Sequence, residues 1–288
     1  MNPISLLAGL LLLTLTACAA LGQTTSTTLV PLGDGKISTS PISGNVFSCQ
    51  TRFGGGGAFR DGEWIQGQFW DPSKKIAVSG AVAWPASKLE ITLMGDRRII
   101  TSNNLPSHTT GIYPIGSTDP AYQYDRNPNS VLTQNIVYSL PANPTLASSP
   151  SCVSLGAVGF SLTGAAIFNA LDGMGKDAVA HELQDACGGH PERSGQYHYH
   201  GPSTCFKDES GKNGNHSDLV GYALDGFGLY GLYGEDGKLL TNANLDECHG
   251  HTHTLNWDGK SVSMYHYHLT QEYPYNISCF RGTAARQG

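Results

Sequence analysis

The chain has 288 residues, 39% of them hydrophobic and only 14% charged, with a formal net charge of −6. That length suits one large domain or two ordinary ones, and the lack of any Lys/Arg run argues against a nucleic-acid partner. With 36 glycines and 15 prolines, long helices are disfavoured, and short strands joined by turns are expected.

Leu6 to Leu15 is a nearly continuous apolar run, too short to span a bilayer and the right size for the hydrophobic part of a signal peptide. Leu15-Thr16-Ala17-Cys18 resembles a lipobox, which would leave a lipid on Cys18. Ala17-Cys18-Ala19 or Ala20-Leu21-Gly22 offers ordinary small-residue cleavage instead, and Met1-Asn2-Pro3 lacks the basic residues of a bacterial leader. Residues 1–22 are therefore expected to direct export, with membrane contact only through such a lipid. Residues 23–45, rich in Thr, Ser and Gly, read as a linker.

Residues 46–150 read as a Gly-rich β portion. Ile76 to Trp84 and Leu89 to Leu93 predict strands. Gly54 to Gly57 predicts a flexible run, and Asn103–Gly111 and Asn127–Asn129 predict loops. One short helix is expected over Asp177–Ala186, with Gly188 as its stop. Outside the leader lie Cys49, Cys152, Cys187, Cys205, Cys248 and Cys279, an even set that in an exported chain predicts up to three disulfides. Asn215 and Asn276 head Asn-x-Ser sequons, relevant only in a host that glycosylates.

Residues 151–282 contain an internal repeat. Val158–Phe168 aligns with Val220–Tyr230, Asp185–His190 with Asp246–His251, Tyr197–His200 with Tyr265–His268, and Cys205-Phe206 with Cys279-Phe280. Two similar β modules, about 155–206 and 217–280, packed about a pseudo-twofold axis, are the natural reading. Each copy brackets its histidines with its own cysteine pair, Cys187–Cys205 and Cys248–Cys279, leaving Cys49 for Cys152. Each bridge would stabilise the fold by about 3 kcal/mol. The expected fold class is mainly β, with a disulfide-stapled, duplicated C-terminal module.

Of 11 histidines, eight fall within 190–200 and 249–268. In a strand, residues i and i+2 share a face. His198 and His200 thus face one way and Tyr197 and Tyr199 the other, and the same holds for His266 and His268. The tyrosines would pack behind the strand and offer hydroxyls to support the imidazoles. His190 and His251 complete a three-imidazole set in each copy, and His249 and His253 enrich the second. Imidazoles at this density predict a transition-metal site, one per module or one shared across the axis, with copper favoured over zinc. Met94, Met174 and Met264 supply few soft ligands for a Cu⁺ carrier. Cys187 and Cys248 could instead be zinc thiolates. His108, His181 and His216 read as ordinary surface or core histidines. Asp225, whose counterpart is Thr163, reads either as a turn residue or as a supporting carboxylate or general base.

The doubled Tyr-His-Tyr-His, with Gly221–Tyr230 ahead of its second copy, resembles the YHYH-domain proteins. Asn104–Pro114 and Asn127–Asn129 resemble that family's upstream segment, so the resemblance spans about 75–282. It implies an exported protein with suspected metal binding and no defined reaction. The first module departs from the family's Asp-Gly signature at Thr163-Gly164, which implies unequal modules. Three functions remain open: an exported copper binder or mononuclear copper redox enzyme, a zinc hydrolase with Asp225 or Glu247 as base, and a structural or adhesion module stapled by zinc. Nothing in the sequence names a substrate.

Overall fold

Period-two burial organises the chain. The computed structural model describes residues 29–285; the expected leader, with Cys18, lies outside them. Short strands come first: β1 (Val30–Pro31), β2 (Ile37–Ser38), β3 (Val46–Phe47), β4 (Ile65–Gln66) and β5 (Phe69–Trp70). Next, β6 (Leu89–Met94), β7 (Arg97–Ser102) and β8 (Ile136–Pro141) form an antiparallel sheet. Its buried positions alternate along β7 (Arg98, Ile100, Ser102) and β8 (Ile136, Tyr138, Leu140), as expected of a sheet with one face turned to the core.

The repeat supplies the rest. Its strands are β9 (Ala157–Ser161), β10 (Ala166–Phe168), β11 (Gly189–Pro191), β12 (Tyr197–Tyr199), β13 (Leu219–Ala223), β14 (Gly228–Tyr230), β15 (Gly250–Trp257) and β16 (Lys260–His268). They make one eight-stranded sheet in the order β11-β12-β10-β9-β13-β14-β16-β15. In each module a hairpin (β9–β10 or β13–β14) is followed by a strand parallel to its second arm, which pairs in turn with an antiparallel edge strand. The modules join through antiparallel β9 and β13, with Phe160 opposite Tyr222. These two residues occupy equivalent positions of the repeat, so the pseudo-twofold passes between them. The local twofold of an antiparallel pair stands normal to the sheet, so equivalent side chains emerge on the same face.

The β6–β8 sheet packs on the middle of the large one. Tyr138 lies 5.9 Å from Phe160, and the Arg98 guanidinium lies over Tyr222 and Trp257 while bonding Asp258 at 2.7 Å. A single core runs from Leu32 to Phe280. Disulfides join Cys49–Cys152, Cys187–Cys205 and Cys248–Cys279, the pairing anticipated from the repeat.

Three local expectations change. Residues 29–45 are built into the fold, because β1 pairs with β5, β2 pairs with β3, and the Gly33 N–H donates to Asp177. Gly33 sits so close to the Tyr273 ring that a Cβ would overlap it. Ile76–Trp84 is no continuous strand: single bridges at Val78 and Val82 flank Gly80, whose φ of +120° breaks the extended run. The helix shrinks to α1 (Ala178–His181), capped by Asp177. Beyond it, Gln184 and Asp185 are drawn into pairing with Val78, which outweighs helix propensity.

Candidate metal centres

Strand pairing assembles the first cluster. His198 on β12 lies opposite His190 on β11, and His200 follows at i+2 on the same face. All three are buried, with one ring nitrogen of each within 4.8 Å of the others. His198 stacks on Phe168, centroids 3.8 Å apart. The second cluster repeats the plan, with His251 on β15 opposite His266 on β16 and His268 at i+2. His253 joins from β15 and His216 from the loop before β13, giving five rings within the same 4.8 Å limit. Tyr230 flanks His266 as Phe168 flanks His198.

Backbone carbonyls fix the tautomers. In the first cluster, His198 Nδ1 contacts Gln196 O at 3.1 Å and His200 Nδ1 contacts Asn169 O at 2.5 Å. In the second, His216, His253, His266 and His268 direct Nδ1 at the carbonyls of Ser217, Thr254, Met264 and Gly231. A carbonyl only accepts, so Nδ1 carries the proton and Nε2 of each neutral ring is bare. These bare atoms face one another, His198 and His200 at 3.0 Å and His216 and His268 at 3.1 Å, and the bare Nε2 of His266 faces His251 Nε2 at 3.1 Å.

Burial, reinforced by neighbouring imidazoles, pushes the His190 and His200 pKa values far down. Burial holds His198 at about 4. In the second cluster burial lowers His251 to about 4 and His268 well below its ordinary value, again with neighbouring rings adding to the effect. Burial thus favours the neutral form of these five rings, the state a metal requires.

Two residues that sequence reasoning missed adjoin the clusters, Glu182 beside two rings of the first and His216 within the second. Glu182 Oε2 lies 3.4 Å from both His190 Nε2 and His200 Nε2. It is buried with no hydrogen-bond partner among the described residues, as are both ring nitrogens of His190. Burial, with the Asp172 and Asp125 charges, raises the Glu182 pKa well above normal. His216, set aside as an ordinary histidine, sits inside the second cluster. Neither has a counterpart in the repeat, so the sequence carried no periodic signal for them.

Other expected roles change. His249 faces away from its cluster, with Nδ1 on His268 O at 2.8 Å and Nε2 between Asn242 Oδ1 and Thr270 Oγ1, each at 3.1 Å. Its φ of +77° matches +74° at Gly188, its counterpart. It precedes β15, so strand alternation does not reach it. Asp225 sits on the tyrosine face, where it accepts from Tyr267 Oη at 2.5 Å and from the Gly282 and Phe227 N–H groups; it is a buried turn carboxylate out of reach of the imidazoles. Its counterpart Thr163 bonds Tyr199 Oη in the same way. The tyrosine hydroxyls thus serve Asp185, Asp246, Asp225 and Thr163 rather than the clustered histidines. Tyr199 also bonds His108, which stands outside both clusters. Glu247 belongs to neither cluster. Cys187 and Cys248 are oxidised and are not thiolates. His181 lies between Asp34 and Asp61. Asn276 is buried, its Nδ2 donating to Phe168 O and His200 O, which leaves no room for a glycan there.

The clusters share a face of the sheet but stand near opposite ends. Four strands separate β12 from β16, roughly 24 Å at about 4.8 Å per strand, so one ion cannot bridge them. The first cluster floors a cleft of about 780 Å³ lined by Gly54–Gly57, Phe59, Asn127 and Gln196. Far from free, the glycine run is tied by Gly55 N–H to Gly173 O at 3.1 Å, and positive φ at Gly55, Gly56 and Gly57 suits glycine alone. A cleft of about 410 Å³ lies beside the second cluster, reaching His216 and His253.

Residues 137–242 match the family model described as YHYH protein. The match covers all but the first residue of β8, the whole first module and the β13–β14 hairpin, and ends before the second Tyr-His-Tyr-His. Comparison with curated proteins and with solved structures gives no match.

Proposed function

We propose that this is an exported protein that holds a transition-metal ion, copper before zinc, in each of its two histidine clusters. The observation that carries the reading is the convergence of bare Nε2 atoms. Two neutral acceptors 3.0 Å apart, as in His198 and His200, repel unless a proton or a cation lies between them. Burial disfavours the proton, and a cation that needs neutral imidazoles satisfies the lone pairs. Donation of Nδ1–H to a carbonyl orients the ring and raises its basicity, the usual support of a metal-bound histidine.

Copper is preferred because imidazole donors bind Cu²⁺ more tightly than other divalent first-row ions. The three disulfides suit an oxidising, extracytoplasmic setting. Zinc is the second reading, favoured by Glu182, since three imidazoles and a carboxylate are donors that zinc accepts equally. A zinc hydrolase would need a base other than Asp225, which lies on the tyrosine face, or Glu247, which is not among the clustered donors.

The test is elemental analysis of protein exported by its native route, beside His198→Ala/His200→Ala and His266→Ala/His268→Ala. Each double variant should lose the ion of its own module and keep the other. An exported protein that is metal-free and takes up neither ion tightly refutes the reading. A Cu²⁺ EPR signal bleached by ascorbate would separate a redox centre from a zinc site.

A further inference from the structure

The two modules differ in what they add to a shared trio of imidazoles. In the first, α1 ends at His181 and Glu182 leaves it in an extended conformation (φ −76°, ψ 145°). Its carboxylate then lies against His190 and His200 at 3.4 Å each. Oε2 is buried and unpartnered among the described residues, and a buried carboxylate without a donor or a cation is strongly disfavoured. The second module has no carboxylate among its clustered donors; His216 and His253 bring two more ring nitrogens.

Donor number then decides what each ion can do. Five nitrogens within 4.8 Å of one another match the shell of one ion, about 4.2 Å across at metal–nitrogen distances of ~2.1 Å. Two ions need about 3.5–4 Å between their centres and a wider spread of donors. A single five-coordinate ion has little room for an outside ligand, and the cleft beside it reaches only His216 and His253. Three nitrogens and one oxygen would close a tetrahedral Zn²⁺ but leave a tetragonal Cu²⁺ a position free. In the first module His190, His198, His200 and Glu182 all line the larger cleft, whose ~780 Å³ falls in the range of small-molecule sites.

We infer that the modules have divided their roles: the first holds an ion with an exchangeable position open to the cleft, ready for a small oxygen- or nitrogen-donor ligand, while the second holds an ion closed by five imidazoles. This rests on the reading that both clusters bind metal. The bottom of the cleft, where Glu182 and Phe168 flank the imidazoles, is where such a ligand would be oriented.

The test uses the full chain loaded with Cu²⁺ and titrated with azide as the probe. His266→Ala/His268→Ala, which keeps only the first centre, should gain an azide-to-copper charge-transfer band and a shifted EPR spectrum. His190→Ala/His198→Ala, which keeps only the second, should show neither. In case a double variant does not fold, wild-type protein loaded at both centres should have about half its EPR intensity perturbed by azide. Glu182→Gln should shift the first centre's hyperfine splitting and weaken its copper retention about 10-fold or more. Azide binding at both centres or at neither, or a Glu182→Gln protein with unchanged spectrum and affinity, overturns the division of roles while metal binding stands. Failure of the wild-type chain to bind copper refutes the underlying reading instead.

Discussion

Replacing His249 with alanine separates a structural histidine from the clustered ones proposed as ligands. The ring is buried, donates Nδ1–H to His268 O, and can accept at Nε2 from the Thr270 hydroxyl. Truncation leaves these partners unsatisfied and opens a cavity, a loss of about 2–4 kcal/mol. Alanine also keeps the φ of +77°, which costs a non-glycine residue ~1 kcal/mol. His249→Gly should therefore be about 1 kcal/mol more stable than His249→Ala, as the glycine at position 188 foreshadows. The pH dependence is specific too. Burial holds His249 at about 4, against about 6.5 in an unfolded chain, so the unfolded state binds more protons between these values. The contribution is whole above pH 6.5 and falls as pH drops towards 4, by about 1.4 kcal/mol per unit. Urea denaturation from pH 5 to 7, with elemental analysis alongside, should show lower stability, a shallower acid limb and unchanged metal content. A variant that keeps its stability but loses metal to the extent His251→Ala does would refute the assignment.

Other outcomes follow from the same geometry. Cys49→Ser/Cys152→Ser opens a loop of 103 residues and should cost about 4–5 kcal/mol, read as a lower urea midpoint. Burial alone would lower the His181 pKa, but the hydrogen bond and charge of Asp34 raise it on balance. Its contribution is therefore present below about pH 6.5 and lost as pH rises through the raised native value; Asp34→Asn should flatten that alkaline decline in a thermal melt. Tyr267→Phe removes the donor to Asp225 and the acceptor for Arg281 N–H. It should cost about 1–3 kcal/mol with metal content intact, whereas a metal loss equal to that of His266→Ala would place the tyrosine in the centre itself.

What the sequence could reveal depended on periodicity. His198 and His200, or His266 and His268, are two apart within strands, and the repeat doubled the signal, so the imidazole trios and cysteine pairs were legible. His249 and Asp225 were misread because each sits in a turn, where alternation stops governing direction. Glu182 and His216 reach their clusters from the end of α1 and from a loop, and only tertiary packing brings them there. Residues 29–45 have a linker's composition, yet Gly33 is small because Tyr273 lies against it. The expected helix at 177–186 failed for a related reason: the pairing of Val78 with Asp185 lies far off in sequence.

The join between β9 and β13 bears on how such a chain could change. One module alone would present β9 as a naked edge, and a second copy could pair with it through the same Phe160–Tyr222 contact, as an isologous homodimer. In that dimer any substitution appears twice, so a carboxylate gained at one centre is gained at both. Covalent tandem linkage removes that constraint. Each half can mutate alone while the shared sheet keeps both folded, and a difference such as Thr163 in one copy against Asp225 in the other is one that only the linked form permits.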